Sequence, residues 1–100
     1  MLMEKHSPHC PLSRVKELAK AGKIRATATA VQCARRLGFR GSAMFAEIES
    51  LERDEFYKSM TTYANHTIWQ DVYHHQSRSG MLYIKVTVVD DVLVVSFKEL

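Results

Sequence analysis

The run from Met81 to Val89, the acidic pair Asp90-Asp91 and the run from Val92 to Glu99 constrain the fold more than any other part of this chain. Apolar β-branched and aromatic residues alternate with polar ones on either side of a short acidic turn, the pattern of an antiparallel hairpin. With Asp90 and Asp91 as a two-residue loop, the register follows outward from the turn. Val88 then faces Leu93, Val86 faces Val95 and Ile84 faces Phe97, which together with Leu82 makes an apolar surface for the core. The other surface pairs Val89 with Val92, Thr87 with Val94, Lys85 with Ser96 and Tyr83 with Lys98.

A sheet face carrying two lysines, a tyrosine and hydroxyls has two readings. One is a solvated side, because antiparallel sheets commonly leave one face wet. The other is an anion site, in which lysine neutralises a phosphate and lowers the pKa of a neighbouring phenol. Cleavage of RNA needs a base for the 2′-OH, charge stabilisation for the pentacoordinate phosphate and an acid for the leaving 5′-oxygen, all within reach of such a face.

Upstream of the hairpin, periodicity places helices first and strands after. Residues 1–11 contain Pro8 and Pro11 without periodicity, predicting an irregular lead-in. Leu12, Val15, Leu18 and Ala19 recur at helical spacing, with Ser13 as the expected N-cap and Gly22 as the stop. A second helix follows Lys23-Ile24-Arg25, its stripe formed by Ala30, Val31, Ala34 and Leu37, capped by Thr27 or Thr29 and stopped by Gly38. Ser42 opens a third through Met44, Phe45, Ile48 and Leu51. Strands are predicted over Phe56 to Tyr63, Thr67 to Tyr73, Met81 to Val89 and Val92 to Phe97, with Gln76 to Gly80 as a loop. The expected fold is α+β, one domain over residues 1–100, with N-terminal helices packed on one face of a C-terminal antiparallel β-sheet.

The formal net charge of +3 favours a polyanionic or acidic partner. Cys10 and Cys33 stand far apart without a disulfide pattern and read as free thiols of a reducing compartment. No run approaches the ~20 apolar residues of a membrane-spanning helix, and no signal peptide is evident, so a cytoplasmic location is expected. His6, His9 and Cys10 are zinc-type ligands in a Pro-containing stretch with no matching distal pair, too little to predict a metal site. No cofactor is expected.

The segment Phe56-Tyr57-Lys58-Ser59-Met60-Thr61-Thr62-Tyr63, then His66-Thr67-Ile68-Trp69-Gln70-Asp71-Val72-Tyr73, then Val94-Val95-Ser96-Phe97-Lys98, resembles the motility quorum-sensing regulator (MqsR) toxin family. Leu12-Ser13-Arg14-Val15-Lys16 extends the likeness over nearly the whole chain. The resemblance implies a type II toxin with a RelE- and YoeB-like fold, an mRNA interferase that cleaves free mRNA at GC-containing triplets, independently of ribosomes and metal, and so inhibits translation and growth. It also implies a cognate antitoxin with a zinc-binding N-terminal domain and a helix-turn-helix C-terminal domain. Carried over by motif, the catalytic residues are Lys58, Gln70, Tyr83 and Lys98. The pattern departs over Ala26 to Glu52 and over His74 to Arg78.

Lys85, Ser96, His66 and Trp69 complete the site as expected RNA contacts. Trp69 and Tyr73 read equally as base-stacking platforms or core. His74 and His75 point to opposite faces if one strand runs through both, so they do not serve one site together. The basic residues of the helical half, among them Arg14, Lys16, Arg25, Arg35 and Arg36, form either a solvated surface or a track for RNA. The alternative function is a non-catalytic nucleic-acid-binding regulator acting through a helix-turn-helix-like pair of N-terminal helices. A third is an interaction module that receives a partner at an exposed strand edge.

Overall fold

Two very short strands, three helices and four longer strands follow one another as β1 (Glu4–Lys5), α1 (Leu12–Lys20), β2 (Ile24–Ala26), α2 (Ala28–Arg36), α3 (Ser42–Glu49), β3 (Phe56–Thr61), β4 (Trp69–Ser77), β5 (Gly80–Val89) and β6 (Asp91–Glu99) in the computed structural model. It describes residues 2–100; Met1, the first residue of the predicted lead-in, lies outside them. The strands form one six-stranded sheet in the order β1-β3-β4-β5-β6-β2.

The helices form where the apolar stripes predict them, and two stop through glycine. At the end of α1, Lys23 N–H donates to Leu18 O at 2.9 Å and Gly22 N–H to Ala19 O at 3.1 Å, with Gly22 at φ +76°. Gly38, at φ +89°, closes α2 in the same way, Phe39 N–H reaching Ala34 O at 2.9 Å. These paired bonds satisfy orphan carbonyls and need the left-handed conformation that glycine adopts without a Cβ clash. Thr27 caps α2, its Oγ1 accepting from Ala30 N–H at 3.1 Å. Ser13, by contrast, is not a cap: the chain turns into α1 at Pro11, whose carbonyl accepts from Arg14 and Val15. Proline's fixed φ and missing N–H suit a helix start.

Two expectations about the sheet are corrected. The lead-in is not wholly irregular, because Glu4–Lys5 pairs antiparallel with β3. Nor is the sheet purely antiparallel, because Ile24–Ala26 runs parallel to β6, giving a mixed sheet. Both strands are too short to show periodicity and exist through the longer strands they border. β4 also runs on through His74 and His75 to Ser77, so the predicted five-residue loop tightens to a turn.

The hairpin register is half as predicted. Tyr83 opposes Lys98 and Lys85 opposes Ser96, as expected, with Ile84 opposite Phe97. Nearer the turn the pairs are Val86 with Val94, Thr87 with Leu93, Val88 with Val92 and Val89 with Asp91. Asp90 alone makes the bend, at φ 68°, and an irregularity between Lys85 and Val86 absorbs the extra residue on β6. The shift has a packing cause: Val92, Val94 and Phe97 all reach the core, which strict alternation forbids. They join Leu82, Ile84 and Val86 in one cluster with Val15 and Leu18 of α1, Ala30 and Ala34 of α2, and Met44 and Ile48 of α3. Tyr73 belongs to that core, fully buried and edge-on to Phe56 at 5.6 Å, which decides against the stacking role.

Candidate active site on the open sheet face

Cross-strand pairing assembles the face opposite this cluster as rows of side chains. Lys58 of β3 opposes Val72 of β4, Val72 opposes Lys85 of β5, and Lys85 opposes Ser96 of β6. The next row runs His74, Tyr83, Lys98. Three lysines and a tyrosine from three strands thus share one surface, with His74 between the β3 and β5 aromatics. Val72 is fully buried although it lies on this face, within the polar row. Long lysine stems cover such apolar surface while holding their ammonium groups in water.

The contacts are aromatic and ionic. His74 stacks on Tyr57 with ring centroids 4.2 Å apart and meets Tyr83 at 6.2 Å. Lys98 Nζ lies over the Tyr83 ring, 5.1 Å from its centroid, and Lys58 Nζ lies 5.5 Å from that of Tyr57. Lys58 also donates to Glu4 Oε1 at 2.6 Å, so β1 brings a carboxylate to the site. That hydrogen bond raises the Lys58 pKa above the ordinary lysine value and keeps it cationic. Lys85 moves the other way, lowered by burial and then by the charge of Lys98. The lysines are therefore unequal: Lys58 is held charged, and Lys85 releases its proton more readily.

Of the sequence-predicted residues, the structure brings Lys58, Tyr83, Lys85, Ser96 and Lys98 together. Gln70 shares their face but opposes Met60, one repeat nearer the β5–β6 turn than the Lys58 row. His66 sits in the exposed turn before β4. Trp69 points away from Gln70 by strand alternation; its ring stacks on His9 at 5.7 Å and lies under Lys5 Nζ at 4.3 Å. His9 and Cys10 are tied by their backbone N–H groups to the buried Asp71 carboxylate, each at 3.0 Å. Among the described residues no three His, Cys, Asp or Glu side chains gather as a metal-ligand set.

Sequence reasoning left the role of His74 open and missed Tyr57. Alternation from Gln70 places His74 on the same face, a signal hidden by ending the strand at Tyr73. His75 points the other way, as predicted, into a buried polar cluster. Its Nδ1 lies 2.9 Å from Glu55 Oε1, and its Nε2 lies 3.0 Å from Glu47 Oε1 and 3.3 Å from Ser50 Oγ. Burial alone raises the Glu55 pKa, but hydrogen bonds from His75 and from the backbone N–H of Gln76 and Glu52 outweigh it and hold the carboxyl below the usual range.

Among known proteins, a family described as "Motility quorum-sensing regulator, toxin of MqsA" matches residues 7–99. The mRNA interferase toxin MqsR of Escherichia coli (strain K12) is 52% identical over 97 residues, which is 97% of this chain and 99% of that relative.

Proposed function

Because this chain belongs to the MqsR toxin family, we propose that it is a toxin of a type II toxin–antitoxin system, an endoribonuclease that cuts mRNA on its open sheet face and thereby stops translation and growth. The observation that carries the reading is the convergence of Lys58, Lys85 and Lys98 beside Tyr83 on one wet surface. An uncommitted solvated face has no need to gather like charges on neighbouring strands, where they repel.

In the reaction the 2′-oxygen forms a bond to phosphorus as the bond from phosphorus to the 5′-oxygen breaks, leaving a 2′,3′-cyclic phosphate and a 5′-OH. Lys58 and Lys98 offset the charge that builds on the phosphate oxygens, where a preorganised cation acts without reorganisation. Lys85, whose pKa is lowered by burial and then by the charge of Lys98, takes the 2′-OH proton, and the Tyr83 phenol gives one to the 5′-oxygen. Gln70 orients the nucleotide. The protein acts in the cytoplasm on free mRNA at GC-containing triplets, without a metal. It is held inactive by an antitoxin with a zinc-binding N-terminal and a helix-turn-helix C-terminal domain. Three helices ahead of a meander of strands support a RelE-like fold.

The non-catalytic alternative loses support from the fold. A helix-turn-helix joins its helices by a short turn, whereas α1 and α2 are separated by β2, which is bound into the sheet.

Purified protein is expected to cut naked mRNA in EDTA. Lys98→Ala is expected to lower the rate by about 10²-fold while leaving Tm within a few degrees, since Lys98 is exposed. Loss of cleavage in EDTA with recovery on adding metal refutes the mechanism. Undiminished growth arrest by Lys98→Ala refutes the site.

A further inference from the structure

The open face carries a concavity toward the β5–β6 turn, over β2, β4, β5 and β6, with a volume of ≈ 290 Å³. Its floor is apolar, built from Ile68, Leu93 and Val95, and Gln70 and Arg25 stand at its sides. Arg25 reaches this face because Ile24–Ala26 pairs with Val92–Val94, setting Arg25 opposite Leu93.

Most polar groups here are committed to the protein. Thr87 Oγ1 donates to Trp69 O at 2.8 Å, and Thr27 Oγ1 donates to Val95 O at 3.2 Å while capping α2. Asp91 takes the Nε–H of Arg25, with Oδ2 at 3.1 Å and Oδ1 at 3.3 Å. That contact turns the guanidinium of a 64% exposed side chain toward the turn and leaves its two terminal nitrogens, and the Gln70 amide, without a protein partner among the described residues. The result is a small apolar slot with an arginine fork at its rim, one pleat repeat, ~7 Å, from the Lys58–Lys85 row.

We propose that this cavity is a base-reading subsite of the nuclease, resting on the reading above, and that Arg25 recognises a guanine next to the scissile phosphate. The volume lies at the small end of ligand pockets, room for one heterocycle and too little for a duplex. An apolar floor of aliphatic side chains suits the burial of a base face. Two parallel N–H donors match the adjacent O6 and N7 acceptors of guanine, whereas adenine turns its N6 amino donor against them. Asp91 acts as a positioning residue through Arg25, and the Gln70 amide extends the readout from catalytic row to slot.

The test is cleavage of a randomised single-stranded RNA pool, with cut sites sequenced, by wild type, Arg25→Ala and Arg25→Lys, together with oligonucleotides carrying 7-deazaguanine at the preferred position. Wild type is expected to favour guanine at one fixed position relative to the cut. Arg25→Ala is expected to lose on the order of 10- to 100-fold of that preference while still cutting, and Arg25→Lys, which keeps the charge without the fork, to lose most of it. Replacing N7 is expected to slow the wild type alone. The unmodified protein makes this last arm independent of how well the variants fold. A uniform drop across all sequences in Arg25→Ala identifies a phosphate contact and overturns the base-reading assignment. Unchanged preference in Arg25→Ala overturns it as well. A wild type that cuts no RNA defeats the nuclease reading beneath it, an outcome distinct from either.

Discussion

Replacing His75 with leucine tests how the candidate site is held from below. The imidazole is 4% exposed and joins three elements, β4 through its own backbone, α3 through Glu47 and the 3₁₀ turn Arg53–Glu55 through Glu55. Leucine fills much of the space but donates nothing, so two carboxylates, 21% and 14% exposed, lose their shared partner. Removing one side of such a buried pair costs about 3–5 kcal/mol. The lower end applies, because Glu55 keeps the Gln76 and Glu52 N–H groups and both carboxylates reach some water. A loss of about 3 kcal/mol in a domain of this size lowers Tm by roughly 12–24 °C. The pH dependence adds a second readout. Glu55 has a depressed pKa in the folded state, so its stabilisation is fully present above the unfolded carboxylate value, about 4.3, and is lost as pH falls through the lower folded value. Wild type should therefore lose stability steeply below about pH 4, and His75→Leu less steeply. Urea unfolding at pH 7 and pH 3.5 measures both effects. A loss under about 1 kcal/mol at pH 7 with an unchanged m-value, or equal acid sensitivity in the two proteins, refutes the bridging role.

Glu4→Gln removes the carboxylate that competes with phosphate for Lys58, so RNA affinity should rise and the dependence of log K on log salt steepen by about 0.7; filter binding at several salt concentrations measures this, and unchanged affinity and slope count against a phosphate role for Lys58. Thr27→Ala deletes the α2 cap and should cost about 1 kcal/mol, read as a Tm drop of a few degrees, with cleavage rate at 25 °C preserved.

The sequence reveals those parts of the molecule where periodicity runs long enough to be read. Tyr83 opposite Lys98 is legible from alternation and an acidic turn alone. The inner half of that hairpin is not, because alternation cannot tell a two-residue loop from a single left-handed Asp90 followed by a bulge. Only the core's demand for Val92, Val94 and Phe97 on one side decides it. β1 and β2, of two and three residues, leave no periodic trace, and with them go the Glu4–Lys58 pair and the entry of Arg25 onto the open face. His74 was hidden for a related reason: His-His-Gln-Ser carries little strand propensity, and pairing with β5 extends β4 through it.

The place of β6 in the sheet bears on how the protein is made. It lies between β5 and β2, although it is synthesised after the five other described strands. During translation, β2 therefore waits for a partner until Val92–Val94 leave the ribosome, and α2, which packs on β6, waits with it. Lys98 emerges later still. A nascent chain stopped before β6 leaves β2 unpaired and its polar rows without Ser96 and Lys98. The interval in which a cell holds a partly finished copy is thus one in which that copy lacks the complete face.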